Sequence, residues 1–217
     1  MHWKDEGFLL SKNNFDENSI IIEAFTLRHG KYTGIVYGGA SRKQKRNFQI
    51  GNKIILNWKS KGENKSGYFN IELVKPIAPL FFDDKKKLAC ILSSTAFLKS
   101  LLPERQINKT IYDEFEKMLI NLNSKKWIEC YIYWEISLIK QLGFEANFFK
   151  NNNKININGR YFQIPNFFLN NKSEDLNSKN NIKEALIFNK NLLMENFFIP
   201  NNIKFPLFRN ILINYYI

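Results

Sequence analysis

Histidine and cysteine are nearly missing from this chain, with two of each among 217 residues. Cys90 and Cys130 stand far apart and neither has a second cysteine nearby, which excludes a disulfide framework and the close ligand pairs of a zinc site. Each lies among apolar residues in a helical pattern, where a free thiol packs as a small hydrophobe. His2 and His29 are the only imidazoles a hydrolase triad could use, and no H-E-x-x-H, G-x-S-x-G, G-x-x-x-x-G-K-[ST] or G-x-G-x-x-G occurs. Carboxylate pairs that could in principle hold a metal occur at Asp5-Glu6, Asp83-Asp84 and Asp113-Glu114. Adjacent strand residues point to opposite faces, and acids at a helix start answer its dipole, so no metal-nuclease centre is expected. The reading is a protein that is not an enzyme and takes no cofactor or metal. Uninterrupted apolar runs fall short of the ~18–20 residues of a membrane span, and Met1–Gly7 lacks the apolar stretch of a secretory signal. A soluble, cytoplasmic protein with no membrane partner is expected.

Acidic residues are scarce as well: 20 Asp and Glu face 32 Lys and Arg, a formal charge of +12. Lysine outnumbers arginine 26 to 6, and asparagine and isoleucine are abundant. That is the residue usage of AT-rich coding, so the total says little. The distribution says more. Within residues 31–65 the basic groups are Lys31, Arg42, Lys43, Lys45, Arg46, Lys53, Lys59, Lys61 and Lys65, opposed by Glu63 alone. Drift toward lysine does not place Arg42 and Arg46 in one short stretch. A local field of this sign attracts polyanions.

Turn-rich segments divide the first 75 or so residues into five apolar stretches, at Gly7–Ser11, Ser19–Leu27, Lys31–Tyr37, Lys53–Lys59 and Gly67–Val74. In the fourth, Ile54, Leu56 and Trp58 alternate with Lys53, Asn57 and Lys59. In the fifth, Phe69, Ile71 and Leu73 oppose Tyr68, Asn70 and Glu72. Period-two alternation predicts half-buried antiparallel strands. Five short strands with a long third connection predict a small closed barrel of OB type. The prolines of Pro76-Ile77-Ala78-Pro79 end the last strand, placing the domain boundary at 78.

Helical periodicity follows over residues 79–217. Asp83–Leu102 carries a stripe of Leu88, Ile91, Leu92, Thr95, Leu98 and Leu102. A second helix, with Thr110 as its cap and Asp113 completing a capping box, carries Ile111, Phe115, Met118, Leu119 and Leu122. Lys125–Leu142 is a third, closed by Gly143. Twelve asparagines fall between Asn147 and Asn181, read as a small irregular insertion with a short hairpin at 154–164 around Asn158-Gly159. Ile182–Phe198 and Pro206–Tyr216 are the last helices, split by Pro200. The fold class is therefore α+β: a five-stranded OB-type barrel over 1–78, then a helical domain.

The loop Gly38-Gly39-Ala40-Ser41-Arg42-Lys43-Gln44-Lys45-Arg46 joins the third and fourth strands. Its glycines let backbone amides approach a phosphate, and its cations release counterions from nucleic acid. Lys53 and Lys59 share one face of the next strand, and Lys61 and Lys65 lie in the strand 4–5 connection, a usual OB contact region. Trp58 alternates with core residues and is read as core, whereas Tyr68 is on the polar face and available to stack on a base. Tyr32 and Tyr37 stay undecided. The candidate DNA contacts are Lys31, Arg42, Lys43, Lys45, Arg46, Lys53, Lys59, Lys61, Lys65 and Tyr68, binding mostly backbone without regard to sequence.

The opening His2-Trp3-Lys4-Asp5-Glu6-Gly7-Phe8-Leu9-Leu10-Ser11 and Gly38-Gly39-Ala40-Ser41-Arg42 resemble the RecO recombination-mediator family of alphaproteobacterial type. So do Leu102-Pro103-Glu104-Arg105 with Ile111-Tyr112-Asp113, and Tyr133-Trp134-Glu135 with Leu142-Gly143-Phe144. The resemblance covers most of residues 1–145 in order. It implies an N-terminal OB domain and a helical C-terminal domain. It also implies a non-enzymatic role in recombinational repair of DNA damage: binding single- and double-stranded DNA and annealing complementary strands. With RecR, and in some pathways RecF, such proteins help load RecA onto DNA coated with single-strand-binding protein. They act in the cytoplasm at the nucleoid. Some members carry a four-cysteine zinc module after Leu-Gly-Phe; here Asn147–Asn158 holds no cysteine, which implies that the module is metal-free or degenerate. The family's docking of the single-strand-binding protein's acidic, Phe-ended tail implies an apolar groove edged by Lys or Arg, for which the sequence offers no local motif. The basic loop alone also suits an RNA- or ribosome-binding OB module without a repair role.

Overall fold

The computed structural model describes residues 2–41, 48–60, 62, 67–144, 153–169 and 178–217. Five strands come first: β1 (His2–Asn14), β2 (Ile20–Thr26), β3 (Gly30–Val36), β4 (Lys53–Lys59) and β5 (Tyr68–Lys75). Strand β1 is much longer than its apolar stretch because it serves two neighbours. His2–Phe8 pair with β4 and Gly7–Asn14 with β2, and the register shifts between Leu9 and Ser11. Such a bulge bends the strand and lets one segment belong to both sides of a barrel.

The strand order is β1-β2-β3-β5-β4, antiparallel except where β3 meets β5. That last seam is thin. It consists of the parallel pair Ile35↔Tyr68 and a hydrogen bond from the Ile35 N–H to the Gly67 carbonyl at 3.1 Å. The ring of strands that the alternation suggests is thus completed through one thin seam. Trp3, Ile22, Tyr32, Ile54, Leu56, Trp58 and Phe69 fill it. Two glycines make room for the indole: a Cβ on Gly34 or Gly67 would sit 2.5 Å or 2.2 Å from the Trp58 ring.

After a 3-10 turn at Ala78–Phe81, helix α1 (Lys85–Leu101) starts at Asp84, whose carboxylate accepts the Lys87 N–H at 3.1 Å. It packs on β1 and β2. Its buried residues include Ala89, Cys90, Ile91, Ser93, Ser94, Phe97 and Leu98, far more than one stripe. Ser93 and Ser94 enter this interface by donating to the carbonyls of Cys90 and Ile91, which satisfies hydroxyls that would otherwise be costly to bury. The chain forms two compact units, 1–113 and 114–217. The first unit therefore runs well past the proline-marked boundary at 78, because α1 belongs to the barrel.

Helix α2 (Lys109–Asn121) is capped by Asn108, which accepts the Ile111 N–H at 3.0 Å. Thr110 lies inside the first turn and is exposed, so the cap falls two residues before the expected one. In the second unit come α3 (Trp127–Gln141), then the hairpin β6 (Lys154–Ile157) and β7 (Arg160–Gln163), then the short α4 (Asn166–Leu169). Asn158 and Gly159 turn the hairpin at φ of 51° and 83°, the paired positive φ of a type I′ turn. Helix α5 (Lys179–Leu193) runs into a π-wound turn at Met194–Phe198, and α6 (Leu207–Asn214) follows. Glu135, Asn189 and Arg209, all at 0% exposure, join α3, α5 and α6. Arg209 donates to both carboxylate oxygens of Glu135 and to the Leu186 carbonyl, and Asn189 donates to Glu135. Cys90 is buried and Cys130 half-buried, and the two are not joined by a disulfide.

Candidate nucleic-acid interface

The β3–β4 connection is fixed at both roots. On the β3 side, Gly38 turns at φ 71° with open space around it, and Gly39 lies against Ile20, where a Cβ would come within 2.6 Å. The Ala40 N–H donates to the Asn18 carbonyl at 3.3 Å. On the β4 side, Phe48 enters the barrel core at 2% exposure, and its carbonyl accepts the Lys12 ammonium at 2.5 Å. Gly51, at φ 90°, approaches Ile91 so closely that a Cβ would lie 2.3 Å from Cγ2. Asn52 is wholly buried, and its side-chain oxygen accepts the N–H groups of Ile77 and Ala78 at 2.8 and 3.1 Å. Arg42, Lys43, Lys45 and Arg46 lie between these roots, outside the described residues, as do Lys61 and Lys65 in the β4–β5 connection.

The four described candidates part company. Lys59 is exposed at the end of β4, paired across the sheet with His2 on one side and Tyr68 on the other. Tyr68 opens β5 and is 37% exposed. Lys53 sits at the opposite end of β4, six residues and roughly 20 Å of strand away. It is half-buried, ion-paired with Glu6 at 3.1 Å and set over the Phe8 ring. The shared face read from alternation is real, yet the two lysines are not brought together.

Lys31 is a correction. It points out of the barrel, but the outer face there is covered, and the residue is only 8% exposed. Its ammonium donates to the Lys99 carbonyl at 2.6 Å, in the last turn of α1, and its backbone bridges Glu104. It caps the negative end of the helix dipole, satisfying a carbonyl that has no helical partner. Burial pushes its pKa down, against the pull of Glu23 and Glu104. This cation is not available to a phosphate.

Strand parity resolves the two undecided tyrosines. Tyr32 faces inward at 8% exposure, edge-on to Trp3 and Trp58. Tyr37 faces outward at 66% exposure, with its ring centroid 5.9 Å from that of Tyr68 and the planes at 55°. Tyr37 lies one residue past the end of β3 and an odd count from Tyr32, so the alternation carried one step beyond the strand puts it on the opposite side.

Sequence reasoning also missed the role of Asp5. Its carboxylate, buried in the barrel wall, accepts from the Arg28 N–H and from His29 Nδ1, both at 2.8 Å. His29 in turn stacks on Trp3 at 4.1 Å. Asp5-Glu6 thus serves the β2–β3 turn on one side and Lys53 on the other. Among the described residues, no group of three or more His, Cys, Asp or Glu is placed to hold a metal ion. Among those residues, too, no helix is long and apolar enough to cross a membrane.

Fold and topology define the class: an OB-type barrel extended by helices. The family model described as "Recombination protein O N terminal" matches residues 1–77, and "Recombination protein O C terminal" matches 83–153. The chain belongs to the recombination protein O family. Similar relatives include the DNA repair protein RecO of Roseobacter denitrificans, 37% identical over 145 residues, covering 66% of this chain and 60% of that protein. The DNA repair protein RecO of Cereibacter sphaeroides is 38% identical over 144 residues, with the same coverage of 66% and 60%. That of Hyphomonas neptunium is 33% identical over 147 residues, again at 66% and 60%. The chain spans about three fifths of the length of these relatives.

Proposed function

We propose that this chain is a DNA-binding recombination mediator in DNA repair. It binds single- and double-stranded DNA through its barrel and anneals complementary strands. With RecR, and in some pathways RecF, it helps load RecA onto DNA coated with single-strand-binding protein, whose acidic tail it docks. The role is non-catalytic. The observation that carries this reading is the run of cations set into the matched barrel: eight net positive charges in residues 31–65, most of them in the two connections that leave β3 and β4. Bringing two phosphate backbones together costs Coulomb repulsion, and a concentrated positive patch offsets it without chemistry. Arg42, Lys43, Lys45, Arg46, Lys59, Lys61 and Lys65 are the proposed phosphate contacts, with Tyr68 against a base; Lys31 is left out, and Lys53 is assigned to Glu6.

The decisive measurement is annealing of complementary oligonucleotides precoated with the cognate single-strand-binding protein. A clear rate increase over the coated strands alone is expected, and none at any ratio of protein to DNA would sink the reading. Matched RNA and DNA strands titrated across salt test the ribosomal or RNA-binding alternative, which a strong RNA preference would restore.

A further inference from the structure

Tyr37 is the residue at which β3 gives way to the Gly38-Gly39 turn, and Tyr68 is the one at which the β4–β5 connection becomes β5. Two basic connections of the barrel, one carrying Arg42, Lys43, Lys45 and Arg46 and the other Lys61 and Lys65, therefore have a root at this ring pair. The rings stand on the thin β3–β5 seam, 66% and 37% exposed, tilted 55° at 5.9 Å. Trp58, Phe69 and Tyr32 fill the barrel beneath, so the pair is not needed for the core. Lys59 is the direct cross-strand neighbour of Tyr68.

Exposed aromatic faces at the roots of two connections whose sequence is basic match one ligand chemistry: a polyanion that also carries free planar bases. An unpaired strand offers such faces, whereas a duplex keeps its bases stacked inside and presents only phosphates and groove edges. We infer that Tyr37 and Tyr68 form a stacking pair for unpaired nucleobases, through which the barrel binds single-stranded DNA more tightly than a duplex. The inference rests on the DNA-binding reading above and adds to it a division of labour: the loops supply charge, the rings sense strandedness.

The test uses the full chain and three probes at fixed salt: oligo-dT, an abasic strand of equal length, and a duplex. Replacing both rings (Y37A/Y68A) is expected to weaken oligo-dT binding by roughly ten- to hundredfold. Affinity for the abasic strand and the duplex should hold within about twofold, with the salt slope unchanged, because no phosphate contact is removed. The Y37F/Y68F chain should bind oligo-dT like the parent. Equal losses on all three probes, or an unchanged affinity for oligo-dT while the parent binds DNA well, would overturn the stacking pair alone. A parent chain that binds none of the three removes the DNA-binding reading and the pair with it.

Discussion

Lys31 and Lys59 are both strand lysines inside the most basic stretch of the chain, yet their surroundings give them opposite duties. Lys59 stands exposed beside Tyr68, while the Lys31 ammonium is held on the Lys99 carbonyl. Replacing Lys59 with Ala is expected to lower the slope of log K against log salt for DNA binding by about 1, whereas Lys31→Met should leave it unchanged. Lys31 should show itself in folding instead. Because burial lowers its pKa below the ordinary 10.5, the unfolded chain holds more protons between the two values, and stability gains with rising pH across that interval. Chemical denaturation over alkaline pH should therefore show a gain in the parent, relative to Lys31→Met, that levels off once pH passes 10.5. At this scale the sequence was legible where a residue's fate depends on its own strand, as with Tyr68 and Trp58. It was opaque where a distant segment intervenes. Nothing near Lys31 announces the last turn of α1, and nothing near Asp5 announces His29.

The strands and helices themselves were mostly readable, because period-two and helical alternation are local properties. Their ends were less so. His2–Glu6 looks too polar for a strand until β4 is there to pair with it, and the cap of α2 falls on Asn108 in preference to a plausible threonine. The clearest case of an element held by something unannounced is the turn after β5. One buried side chain, that of Asn52, takes the backbone N–H groups of Ile77 and Ala78. Asn52→Ala would leave both donors buried and unmet, at a cost of about 2–4 kcal/mol. A lower urea midpoint is expected, together with faster hydrogen exchange at Ile77 and Ala78. Unchanged exchange at these amides would show that another acceptor replaces the carboxamide.

Across the whole molecule the net charge of +12 is less informative than where it is attached. If the β3–β4 connection is the main phosphate contact, changing Arg42, Lys43, Lys45 and Arg46 together to Ala should reduce the salt slope by roughly 3–4. A slope equal to that of the parent would move the contact elsewhere on the chain. The barrel itself was foreseeable from five alternating stretches, but the extent of its unit was not. Helix α1 reads as the first member of a helical domain, and only its packing shows that it completes the barrel.

That packing limits how the protein could be dissected or inherited in pieces. A fragment cut at residue 77, where the first family model stops, would lay bare Phe8 and Phe25, both at 0% exposure and both against the Tyr112 ring. It would also strip Lys31 of its acceptor. A graft that keeps both of these contacts must run at least through Tyr112; a shorter one would be expected to aggregate through its uncovered rings.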